Sequence, residues 1–146
     1  MRSLNDTLSR LCRLRDHVLP GLPGRFAEDR LSDLGAFGSN PGALRGRFYV
    51  PHSRCESIAL VVVLHGCTQD AAGYDHGSGW SRLADEQGFA LLYPEQQRGN
   101  NANLCFNWFN TGDTQRDAGE ALSIRQMVSA MVEEHGIDPS RIFVTG

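Results

Sequence analysis

Lysine is absent from the 146 residues, and all 14 basic side chains are arginine. That removes Schiff-base chemistry, a phosphate-clamping lysine and a lysine general base together. The uniform arginine is better explained by a GC-rich coding bias than by a functional choice. Seventeen acidic residues leave a net charge of -3. No basic stripe is left to neutralise phosphates, so nucleic acid is excluded as a partner. Long apolar runs are missing as well. The longest, residues 58–64 (IALVVVL), is far short of the ~20 residues a membrane-spanning helix needs. Cysteine is sparse: Cys12, Cys55, Cys67 and Cys105 never fall in C-x-x-C spacing. A zinc site and a disulfide-dense scaffold both lack support. Neither G-x-G-x-x-G nor a P-loop is present, which disfavours a nucleotide-binding domain. No residue set calls for a cofactor or a metal.

What the chain does have is 40% hydrophobic and 21% charged residues, the balance of a globular protein with room for one core. Its first 21 residues, MRSLNDTLSRLCRLRDHVLPG, set Leu4, Leu8, Leu11 and Val18 at helical spacing, but arginines break any apolar h-region, so no secretory signal is visible. We expect a short amphipathic helix, docked or tethered, with an arginine-rich membrane-surface helix as the lesser alternative. Residues 20–46 are rich in glycine and proline and read as an irregular lead-in with one short strand. Residues 1–44 are thus expected as helix and lead-in, and residues 45–146 as the α/β domain.

Residues 45–50 (RGRFYV) alternate as a strand, closed by Pro51. Residues 58–64 are continuous, β-branched and too short for a core helix. A strand apolar on both faces is covered on both faces, which means a parallel sheet. It runs into the polar turn His65-Gly66-Cys67-Thr68-Gln69. A helix is expected over 78–87, capped by Ser78 or Ser81 and stopped at Gly88. A second buried strand, 89–93 (FALLY), is expected to end at Pro94. A long polar loop holding Phe106, Trp108 and Phe109 follows, then an amphipathic helix over 119–135. Asp138-Pro139-Ser140 should turn the chain into a last strand, 141–145. Alternating strands and helices spell a doubly wound sheet whose chemistry gathers at the strands' carboxyl ends.

The stretches LVVVLHGCTQDAAGYDHGSGWSRLADEQGFALLYPEQ, CFNWF, GEALSIRQMV and DPSRIFVTG resemble the polyhydroxybutyrate depolymerase and feruloyl esterase group of α/β-hydrolases. The resemblance covers residues 45–146 and implies the N-terminal half of an α/β-hydrolase, with a doubly wound, mostly parallel sheet. It also implies a serine esterase acting on a short-chain ester or polyester, without cofactor, and an extracellular setting; the cytoplasm is the alternative, since no signal peptide is visible. In that family a strand ending in TG enters the nucleophile elbow, G-x-S-x-G. Gly146 matches its first glycine, and no G-x-S-x-G occurs in the chain, Ser39 and Ser78 being in other settings. The expectation is a chain cut before its nucleophile, acid and histidine, inactive alone, with residues 141–145 an uncovered apolar edge.

By the same resemblance the backbone N–H of Cys67 is one oxyanion-hole donor, with His65 and Gly66 shaping the turn. His65 is read as structural, because a base needs a partner nucleophile; Cys67 as a nucleophile itself lacks a base. Cys67 and Cys105 lie in loops at one end of the sheet, and either form a bridge or remain two buried thiols. Trp108, Asn107 and Thr68 are the expected substrate contacts, with Trp108 lining a cleft and Phe109 in the core. His76 and His135 are read as surface residues. Asp113, Asp117 and Glu120 look like a cation site but are better explained by helix capping and dipole compensation. A non-catalytic module binding a ligand at the aromatic loop is the competing class.

Overall fold

The computed structural model describes residues 28–52 and 58–146; the expected N-terminal helix lies outside them, as do Cys12 and Cys55. Along the chain come β1 (Ser32–Asp33), β2 (Arg45–Tyr49), β3 (Ile58–Val63), α1 (Ala71–Ser78), α2 (Trp80–Gln87), β4 (Ala90–Glu95), α3 (Thr111–Thr114), α4 (Gly119–His135) and β5 (Ile137–Thr145). They build one five-stranded sheet in the order β1-β2-β4-β3-β5. β3 lies between β4 and β5 and is parallel to both. β2 runs against its neighbours β1 and β4, so it alone opposes the common direction.

The apolar run of β3 is covered on both faces. Leu60 and Val62, with Ala90 and Leu92 of β4, pack on Met127 and Met131 of α4. Val63, Leu91 and Tyr93 face the other way, onto Ala71 of α1 and Ala84 of α2. Each large side chain so buried contributes about 1.5–3 kcal/mol. The two crossovers leave β3 and β4 toward opposite edges of the sheet. Both stay right-handed only if their helices occupy opposite faces, as they do.

The lead-in from Glu28 onward packs into this body. β1 adds to the sheet beside β2, and Leu31, Leu34 and Leu44 are buried in its two cores.

Three local expectations need correction. The helix expected over 78–87 starts later, at Trp80, and stops at Gly88 as expected; an unexpected helix, α1, precedes it, and the two meet at Gly79, whose φ of 77° is left-handed. Ser78 caps nothing; its hydroxyl donates to the Tyr74 carbonyl. Ser81 is not a cap either: the carboxylate of Asp75 accepts from both its N–H and its hydroxyl. Pro94 does not end β4, which continues to Glu95. It pairs with Gly46, whose carbonyl is turned to Leu34 N–H of the next strand segment. No ladder bond is therefore exchanged at Pro94, and its missing N–H falls beyond the part of β4 paired to β3. Finally, Asp138-Pro139-Ser140 lie inside β5 as an irregularity, not before it. Ile58 pairs with Ile137 and Leu60 with Ile142, so the segment between loops out of register.

Candidate functional site

The crossovers depart in opposite directions at the carboxyl ends of β3 and β4, the end of the sheet where chemistry gathers in such folds, and the loops after both strands meet there. Thr145 of β5 pairs with Val63, and its carbonyl accepts from Leu64 N–H at 2.8 Å. The end of β5 thereby lies against the same turn.

The two loops are clamped together. Cys67 and Cys105 are joined by a disulfide across 38 positions, a closure worth about 4 kcal/mol in chain entropy. Thr68 N–H donates to the Asn103 carbonyl at 2.6 Å. Both strained residues of the site adjoin the bridge: Thr68 at φ 63° and Leu104 at φ 55°, a conformation costing a non-glycine residue on the order of 1 kcal/mol or more. The Thr68 hydroxyl also donates to the Cys67 carbonyl at 2.6 Å.

His65 is buried beneath this turn. Gln96 N–H donates to its Nε2 at 3.0 Å, so that nitrogen carries no proton. Nδ1–H then donates to the Gly66 carbonyl at 2.8 Å. With both nitrogens engaged, His65 has no free lone pair for proton abstraction. Phe106 stacks near its ring, with centroids 5.0 Å apart, and packs on the core.

The amides of the turn are not equivalent. Gly66 N–H donates to Gln69 Oε1 at 2.7 Å and Thr68 N–H to Asn103. Among the described residues, Cys67 N–H meets no acceptor, and Cys67 is exposed. A clamped turn that presents one unengaged N–H is a preorganised donor for developing negative charge.

The loop after β4 is held from below. Gln96 is buried; its Nε2 donates to the Cys105 carbonyl at 3.1 Å and to Glu120 Oε1 at 2.6 Å. Asn107 N–H donates to Glu120 Oε2 at 2.8 Å, and the Asn107 side chain accepts from Asn101. Burial pushes the Glu120 carboxyl up from its ordinary 4.5, against the lowering effect of its two hydrogen bonds.

Beyond Asn107 the loop turns outward, because Asn110 N–H donates to the Asn107 carbonyl. Trp108 is 77% exposed and Phe109 65% exposed, their rings edge to face at 5.8 Å. Phe109 is thus not a core residue; Phe106 fills that place. His76 is exposed, whereas His135 is half buried with its ring on Phe48. The acidic trio also separates. Asp113 accepts from the Asn110 side chain, Asp117 pairs with Arg125, and Glu120 turns inward. Capping does not account for Glu120, since α4 begins without a side-chain cap.

Gln96 and Glu120 carry no motif, but Glu120 has a legible signal. It stands with Ser123, Met127, Ala130 and Met131 on the buried face of α4 at helical spacing. A carboxylate on that face needs partners.

Comparisons with known proteins bear on the family and the fold. The family model described as Esterase PHB depolymerase matches residues 45–146. Poly(3-hydroxyalkanoate) depolymerase C of Paucimonas lemoignei is 53% identical over 116 residues, covering 80% of this chain and 28% of that protein. Feruloyl esterase B of Talaromyces funiculosus is 32% identical, over 80% of this chain and 32% of its own length. The solved acetyl xylan esterase from Aspergillus awamori superimposes with a TM-score of 0.72 at 30% identity, over 80% of this chain and 42% of that one. The chain spans about a third of the length of the curated relatives it matches.

Proposed function

The chain belongs to the esterase PHB depolymerase family, and from that premise we propose that it supplies the oxyanion half of a serine carboxylic ester hydrolase. The observation that carries this reading is the unengaged N–H of Cys67 on a turn fixed from both sides. In the intact mechanism a serine hydroxyl attacks the ester carbonyl and loses its proton to a base. The carbonyl π pair moves onto oxygen, and Cys67 N–H donates to that oxyanion. Collapse expels the alcohol and leaves an acyl-serine, which water then cleaves. One such donor lowers the barrier by about 3 kcal/mol. His65 and Gly66 shape the turn but take no proton.

The substrate class is a short-chain hydroxyalkanoate or related carboxylic ester. Thr68 and Asn107 stand on the two clamped loops, and the exposed Trp108 offers an apolar face to the acyl or aromatic part of the ester. The Cys67–Cys105 bridge favours an oxidising, extracellular setting. The 146 residues contain no G-x-S-x-G, so we expect no turnover from them alone.

The test has two parts. Turnover of a p-nitrophenyl butyrate probe by the 146 residues, blocked by a fluorophosphonate, contradicts the claim that they are inactive alone. In the coding sequence, an in-frame x-S-x-G after Gly146 supports the serine mechanism, and a stop codon there rejects it. The exposed Trp108–Phe109 pair favours one other reading, a non-catalytic module that binds its ligand on those rings.

A further inference from the structure

The acyl-transfer scheme leaves one buried charged group without a role. Glu120 is 4% exposed, yet both carboxylate oxygens accept from the loop after β4: one from Gln96 Nε2, the other from Asn107 N–H. Gln96 reaches the oxyanion turn by two routes. Its side-chain amide donates to the carbonyl of Cys105, which is bonded to Cys67. Its backbone N–H donates to His65, which holds the Gly66 carbonyl.

We propose that ionised Glu120 is a positioning residue of ester hydrolysis, the double acceptor that holds Cys67 N–H in place through Gln96, Cys105 and His65. This rests on the reading of Cys67 as the oxyanion donor. Only a carboxylate accepts at two oxygens at once. A protonated acid or a glutamine turns a donor toward Gln96 or Asn107 and loses one bond. Gln96 has no compensating flip, because its Oε1 already accepts from Gln97 N–H and from the Asn100 side chain.

The fold holds this charge against a desolvation cost, since burial raises the carboxyl above its ordinary 4.5 and Asp113 adds to the effect. A group kept ionised at a cost to stability is better explained by position than by stability. The other titratable or charged groups near it are His65, reached through Gln96, and the Asp117–Arg125 pair at α4; Glu95 faces the other side of the sheet, toward Ala71 N–H.

The test is a titration of the chain labelled with ¹⁵N-cysteine, followed from about pH 4 to about pH 8. The Cys67 and Cys105 amide signals are expected to move together in one transition above the ordinary glutamate value. Glu120→Gln should abolish it. No transition in the unsubstituted chain, or the same transition in Glu120→Gln, overturns the proposal. In the complete esterase, Glu120→Gln is expected to lower kcat about tenfold with KM changed less than about twofold. Glu120→Asp should recover part of that loss and keep the acid limb of the rate profile. An unchanged kcat in a destabilised Glu120→Gln enzyme overturns the proposal. If the unsubstituted esterase hydrolyses no ester, the oxyanion reading fails, while the cysteine titration still decides whether Glu120 holds the turn.

Discussion

His65 would pass for a catalytic base in the sequence, since it follows a buried strand at the carboxyl end of the sheet. Its partners decide otherwise: a donor on Nε2 and an acceptor on Nδ1 hold it in place between two loops. His65→Ala leaves Gln96 N–H buried without a partner, a loss of about 1–3 kcal/mol expected in urea unfolding. A second buried network is centred on Asp75, which accepts from Ser81 twice and from Tyr93 Oη at 2.7 Å. Burial first, and then the hydrogen bond to Asp75, push the Tyr93 phenol far above its ordinary 10.0. The native state therefore keeps this proton where the unfolded chain releases it. Stability from this group is fully present below pH 10.0 and is lost as pH rises past it. Unfolding measured across that limb should steepen for the unsubstituted chain and flatten for Tyr93→Phe. That variant starts about 1 kcal/mol lower at neutral pH, having lost one hydrogen bond. An unchanged alkaline slope in Tyr93→Phe would show that other groups drive the loss, Tyr49 being the first to examine.

Among the elements, β3 and α4 were readable because their signals are local: an unbroken β-branched run, and a 3.6-residue period closed by Gly136. α1 was not. Its sequence, AAGYDHGS, carries two helix-weakening glycines and little apolar period. Its start is marked by Asp70, whose side chain accepts from Gly73 N–H, a cap hidden among the polar residues of a turn. The lead-in's attachment to α4 was equally hidden. A Cβ on Gly42 would come within 2.6 Å of Glu120 Cα and 2.8 Å of its backbone nitrogen. Gly42 N–H donates to Ser123 Oγ at that same contact. Gly42→Ala must push the lead-in off the first turn of α4, and the expected loss is about 1–3 kcal/mol in thermal or urea unfolding. Because the contact being opened is with Glu120, the Cys105 amide signal should shift as well. A variant of unchanged stability would mean that the lead-in gives way freely.

Across the whole molecule, the sheet ends on one side in the two-residue β1 and on the other in the longer β5. β5 pairs with β3 alone among the described strands, and its Phe143 and Val144 are 57% and 66% exposed. The apolar stretch at residues 142–144, paired on one side only, is a template for another strand. The 146 residues are therefore expected to self-associate at micromolar concentration. Val144→Lys should shift light scattering toward the monomer while changing unfolding free energy by less than about 1 kcal/mol. Equal association in both proteins would place the contact elsewhere, with Trp108 and Phe109 the next apolar surface to test.

Taken by itself, the sequence determined the class of fold, the covered parallel strand, the long helix and the turn on which the family resemblance rests. These depend on periodicity and on short motifs, which act over a few neighbouring residues. Tertiary structure alone decided that Cys67 and Cys105 are bonded, that Phe106 and not Phe109 faces inward, that Pro94 sits within a strand, and that Glu120 joins α4 to both loops. Each is a matter of what a side chain meets dozens of residues away. A buried polar group is specified by such partners and not by its place in the chain.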